Sequence, residues 1–132
     1  MTLGTRIPCP GWLFCCALSL CFSIAGCGKR NAPAEPELAR TSLETALGAW
    51  KSGESPDALA KRTPPITMAD FSWKAGQKLT DFRLSGEPAN DGVNLHFQVE
   101  LTLVSPQGAT VNEKVGYIVG THPLITIFRE VH

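Results

Sequence analysis

The 132 residues suffice for one domain and not two, and 12 Lys and Arg balance 12 Asp and Glu. No run of about five basic residues occurs, so the electrostatic footprint that nucleic-acid binding needs is missing and nucleic acid is excluded as a partner. All five cysteines lie at or before position 27, so the remainder has no pair to crosslink and must hold its fold by packing.

The chain opens MTLGTRIPCPGWLFCCALSLCFSIAGC, where Arg6 is the one charged side chain. Pro8, Pro10 and Gly11 separate it from an uncharged apolar run, 12–26. Its roughly 15 residues span about 22 Å as a helix, short of the roughly 30 Å hydrocarbon core of a bilayer. That length suits the apolar stretch of an export signal, about 7 to 15 residues, better than a spanning helix of about 20. Cys9, Cys15, Cys16 and Cys21 read as small apolar fillers of this leader.

At the end of the run, Ile24-Ala25-Gly26-Cys27 resembles the bacterial lipobox: a branched apolar residue, two small ones and a cysteine. Ile stands where Leu is more usual. The resemblance implies that the Cys27 thiol takes a diacylglyceryl group, that the chain is cut between Gly26 and Cys27, and that the new amine is acylated. Each residue type has a use there. Cys27 supplies the sulfur nucleophile, Gly26 and Ala25 let an extended backbone enter a narrow protease groove, and Ile24 fills an apolar pocket. Loss of 1–26 removes Arg6 and leaves 11 basic against 12 acidic groups. No cofactor is expected beyond the covalent lipid on Cys27. Two or three acyl chains make a lasting anchor, since each buried methylene contributes roughly 0.8 kcal/mol. The expected location is therefore the cell envelope, outside the cytoplasm. Gly28, where Asp would mark inner-membrane retention, favours the outer membrane if the host has one.

The segment 28–36, GKRNAPAEP, is polar and carries Pro33 and Pro36, which suits a semi-rigid tether of at most about 27 Å. The expected organisation is a lipoprotein signal peptide over 1–26, a lipidated cysteine and tether over 27–36, and one α+β domain over 37–132. Leu43, Ala46, Leu47 and Trp50 recur at spacings of three and four, predicting an amphipathic helix over 37–52 that ends at Gly53. Ser55, Pro56 and Asp57 start a second short helix, and Thr63-Pro64-Pro65 stops it. Asp70 caps a single helical turn that closes near Gly76.

From there the period changes to two. Strands are predicted over 78–85, 93–104, 109–119 and 124–130, with turns at 87–92, 105–108 and 121–123. The clearest is 93–104, where Val93, Leu95, Phe97, Val99, Leu101 and Leu103 alternate with polar residues. In the next, Val111, Val115, Tyr117 and Val119 share a face. Helix, helix and four closely linked strands predict an α+β fold, with the first helix packed on a curved four-stranded antiparallel meander. This arrangement resembles the cystatin-like or NTF2-like class in topology, across 37–131.

Chemistry-bearing residues are few. His96, His122 and His132 fall on a wet strand face, in a turn and at the chain end, with no metal-ligand spacing. Asp70, Asp81 and Asp91 sit at a cap, a strand and a turn. There is no G-x-S-x-G elbow, phosphate loop or G-x-G-x-x-G. Gly116 and Gly120 point to a bulge or to close packing. Trp50 and Trp73 are assigned to the core before a ligand pocket. The loop Gly120-Thr121-His122-Pro123 is the candidate contact point, because loops carry function more often than cores. No catalytic or metal residue is expected. The favoured function is a non-enzymatic envelope module, a monomer whose partners are membrane lipid and, as a candidate, an envelope protein. The alternative is a small-ligand or enzymatic NTF2-like pocket inside the curved sheet. An open cavity with inward His, Asp or Tyr would favour the pocket. A core closed by Leu43, Leu47, Trp50, Phe97 and Leu101 would favour the module.

Overall fold

In the computed structural model, the described residues are 32–131 together with Gly4 and Gly11. Gly26, Cys27, the apolar run 12–26 and His132 lie outside the described residues.

Helix α1 (Pro36–Lys51) carries Pro36 in its first turn, where the missing N–H has no intrahelical partner to lose. Its buried residues, Ala39, Ser42, Leu43, Ala46, Leu47, Ala49 and Trp50, form the expected stripe. It stops at Gly53, whose φ of +84° suits a residue without a Cβ. The Gly53 and Glu54 N–H groups donate to the carbonyls of Trp50 and Ala49, both at 3.0 Å, and so satisfy the last turn. A 3-10 helix (Pro56–Lys61) follows and buries Leu59. The chain then enters strand β1 (Ile66–Ala69) and the one-turn helix α2 (Phe71–Lys74). Asp70 caps α2 as expected: its Oδ1 accepts from the N–H groups of Ser72 at 2.7 Å and Trp73 at 3.0 Å.

Four more strands complete the sheet: β2 (Lys78–Asn90), β3 (Leu95–Val104), β4 (Thr110–Gly120) and β5 (Ile125–Arg129). The sheet order is β1-β5-β4-β3-β2. Strands β2 to β5 pair antiparallel with their chain neighbours, as a meander requires. The strand count differs from the four expected. Strand β1 joins the edge and pairs in parallel with β5, Ile66 opposite Ile125 and Met68 opposite Ile127. Four residues between Pro65 and the Asp70 cap are too few to display a period, and their partner lies at the other end of the domain.

The first turn of the meander also shifts. Strand β2 does not end at 85 but slips register between Ser85 and Ala89 and resumes pairing, Ala89 with His96 and Asn90 with Leu95. The turn therefore falls at 91–94. There Asp91 Oδ1 accepts from the N–H groups of Val93 at 2.9 Å and Asn94 at 2.7 Å, which withdraws Val93 from the strand that alternation predicts for it.

The α1 stripe meets Leu79, Leu95, Phe97, Val99, Leu101, Leu103, Tyr117, Val119 and Ile127 of the sheet in one core. Leu43 and Leu47 are 0% exposed, Trp50 3%, Phe97 2% and Leu101 1%, so the space between helix and sheet is filled. Trp50 and Trp73 stack with ring centroids 5.3 Å apart and planes inclined by 8°. Their indole N–H groups donate to the carbonyls of Gln77 and Glu54. Val111, expected in the buried row of β4, is instead 44% exposed.

The chain is held by the domain before residue 37. Ala34 is buried and its N–H donates to the Val93 carbonyl at 2.9 Å. The Glu35 N–H donates to Thr121 Oγ1 at 3.0 Å. The tether expected over 28–36 is therefore held by the domain from Ala34 onward. The start of α1, the 91–94 turn and the 121–124 turn gather at one end of the sheet, the near end. The 105–108 turn and the stacked tryptophans mark the far end.

Candidate functional site

The candidate loop Gly120-Thr121-His122-Pro123 divides into a buried half and an exposed half. A Cβ on Gly120 would lie 2.9 Å from Asn94 Oδ1 and 3.1 Å from Thr126 Oγ1, so glycine lets the two near-end turns approach. Thr121 is 5% exposed and holds the incoming chain through Glu35. His122 and Pro123, joined by a cis peptide, are exposed. Two apolar residues that sequence reasoning missed are exposed at the same end of the sheet: Leu124 at 62% and Val93 at 41%. Alternation assigns both to strands. Only the turns that remove them from pairing make them surface.

A charged clasp stands next to this end, on the sheet face turned away from α1. His96 of β3 places Nε2 2.8 Å from Asp91 Oδ2 and Nδ1 2.5 Å from Glu130 Oε1. Glu130 follows β5 and reaches His96 across Gly116 of β4, where any Cβ would collide with the Glu130 carboxylate. Close packing, one of the two causes expected for that glycine, is thus the observed one. A neutral imidazole carries one N–H and an imidazolium two, whereas carboxylates only accept. Two carboxylates on opposite ring nitrogens therefore match the imidazolium. The hydrogen bond that His96 donates to Asp91, then that to Glu130, raises the ring above its ordinary 6.5. The Asn94 backbone N–H, then His96, holds Asp91 down at about 2. Spacings of 91, 96 and 130 carry no signal of this cluster, because the sheet register creates it.

A second polar cluster is sealed between α2 and the sheet. Asp70 Oδ2 accepts from the Tyr117 hydroxyl at 2.6 Å and lies 3.5 Å from Arg129 Nη1. Arg129 also donates to Ser72 Oγ at 2.9 Å and to Glu113 Oε2 at 2.6 Å, with its guanidinium 4.3 Å from the centre of the Phe71 ring. Asp70 is 3% exposed, Ser72 2% and Tyr117 0%. Burial, followed by the Asp70 charge, pushes the Tyr117 phenol up, so it stays a donor.

His96 has no ring nitrogen free to act as a base, and its two carboxylates face opposite nitrogens, so they do not converge with the ring on one ion. Among the described residues no group of three or more His, Cys, Asp and Glu is placed to hold a metal, and no buried side-chain polar atom lacks a partner. A surface groove of about 320 Å³ runs between α1 and the 63–66 segment, lined by Thr41, Thr45 and Arg62, among others. Its one cation, Arg62, donates to Glu54 at 2.7 Å. No protein family, curated protein or solved structure matches this chain.

Proposed function

We propose that this chain is a lipid-anchored protein of the extracytoplasmic cell envelope, held through a diacylglyceryl thioether on Cys27 and acting as a non-enzymatic interaction module. The observation that carries this is the placement of Ile24-Ala25-Gly26-Cys27. It closes an uncharged run of signal length and its cysteine stands seven positions before Ala34, the first buried residue among those described. Leader, anchor and domain thus follow one another with little intervening chain. Gly28 supports the outer membrane as the destination where the host has one.

The filled core supports a non-enzymatic role. An NTF2-like pocket needs space where Leu43 and Leu47 meet Phe97 and Leu101, and these four are between 0% and 2% exposed. The carboxylate, phenol and guanidinium that chemistry would use are bonded to one another instead. Both sheet edges are blunted, which supports a monomer. Strand β1 has only 4 residues, and β2 is bulged and carries Pro88. The partners are then the bilayer, through the anchor, and an envelope protein on faces turned away from it.

The test is metabolic labelling with a fatty acid, in wild type and Cys27→Ser. Label should enter the first and not the second, and recovery in the membrane fraction should fall with it. Equal labelling of the two proteins overturns the proposal.

A further inference from the structure

We infer that the near end of the domain rests against lipid headgroups through Val93 and Leu124, with the far end directed away from the membrane. This rests on the anchor at Cys27. The length of free chain limits how the domain can sit. Cys27 and Ala34 are seven steps apart, and each step spans at most about 3.6 Å, so Ala34 stays within about 25 Å of the anchored residue. Strand β3 has 10 residues between the near and far turns, a length of about 33 Å. A domain turned end over would need its tether to run the whole strand, and the tether is too short.

The entry point is fixed as well as close. Ala34 donates to Val93 in one near-end turn and Glu35 to Thr121 in the other, so the tether leaves from between them. Those same turns present Val93 and Leu124, 41% and 62% exposed, at positions where polar side chains are usual. Glu35, Glu37 and Asp91 are exposed at the same end. Their charges must remain solvated, so Val93 and Leu124 reach headgroup depth and no further. Such a contact is too small to bind free protein. It operates because the tether keeps the end at high effective concentration.

The experiment uses the protein extracted from membranes, with the Cys27 adduct established by mass, in nanodiscs of zwitterionic lipid containing some gadolinium-chelate headgroups. Methyl relaxation is compared at Val93 and Leu124 of the near end and Val111 of the far end. Enhancement at the first two should exceed that at Val111 by at least about tenfold, since it falls steeply with distance from the gadolinium layer and Val111, paired with Leu103, lies about 26 Å further along the sheet. In a Val93→Asp, Leu124→Asp double variant that is still lipidated, the near-end methyls of Ile66 and Ile125 should lose at least about half of their enhancement. Uniform enhancement at both ends, or strongest enhancement at Ile118 on the outer sheet face, overturns the inference and leaves the anchor standing. A mature chain without lipid on Cys27 overturns both.

Discussion

Replacing Asp70 with alanine removes three hydrogen bonds and one ion pair, the caps to Ser72 and Trp73, the bond from Tyr117 and the pairing with Arg129. The helix cap alone is worth about 1 kcal/mol. The Tyr117 bond ends on a charged group, worth about 1.5 to 3 kcal/mol, and its loss strands a buried hydroxyl. Arg129 keeps Glu113 and Ser72, so its charge is not orphaned and the largest penalty of a broken buried pair is avoided. These terms share atoms and do not simply add. The expected loss is about 3 to 5 kcal/mol, a third or more of the total stability of many domains of this size. At a urea slope of about 1.5 kcal/mol/M this lowers the unfolding midpoint by about 2 to 3 M. Asp70→Asn retains the capping oxygen and should lose only about 1 to 3 kcal/mol, as should Tyr117→Phe. In a double-mutant cycle, Asp70→Ala and Tyr117→Phe should couple by at least about 1 kcal/mol. A midpoint shift under about 0.5 M for Asp70→Ala, or a coupling near zero, refutes the view that this cluster locks α2 to the sheet.

Three further outcomes follow from the core and the clasp. Leu47→Ala should cost about 2 to 5 kcal/mol by denaturation, and a loss below about 0.5 would remove the α1 stripe from the core. His96 is raised above 6.5, so its contribution to stability is fully present below pH 6.5 and fades as pH rises through the higher folded value. Asp91, held at about 2 against an ordinary 3.8, contributes above pH 3.8, and that share is lost as pH falls toward 2. Unfolding midpoints from about pH 5 to about pH 9 should therefore decline in wild type and stay flatter in His96→Gln; parallel curves would show that the clasp is not coupled to folding. Gly116→Ala should displace the Glu130 carboxylate, because the added methyl occupies its place. The His96 ring, followed by NMR titration, should then protonate at lower pH than in wild type, and an unchanged titration would mean that Glu130 does not hold the ring.

Local elements were largely legible in the sequence. The α1 stripe, the stop at Gly53, the Asp70 cap and the alternation of 95–103 each depend on residues within about a turn or a few strand positions of one another. Their physical causes are backbone dihedral preference, nearby hydrogen bonds and one-sided burial, and the chain states all of them within a short window. The lipobox resemblance at Cys27 has the same local character.

The tertiary structure decided what depends on distant segments meeting. Parallel addition of β1 to β5 joins Ile66 to Ile125, and a four-residue strand has no period to announce it. The bulge in β2 moves the turn to 91–94, and only then does Asp91 face His96. Sheet register brings Glu130 over Gly116, and it closes Asp70 against Tyr117 and Arg129. It also docks Ala34 and Glu35 between two turns, so that a stretch polar enough to pass for free tether is partly held. A single sequence specifies how each segment prefers to bend. Which segments touch is set by the cooperative packing of the whole core, because the entropy of closing long loops is offset only when many distant contacts form together.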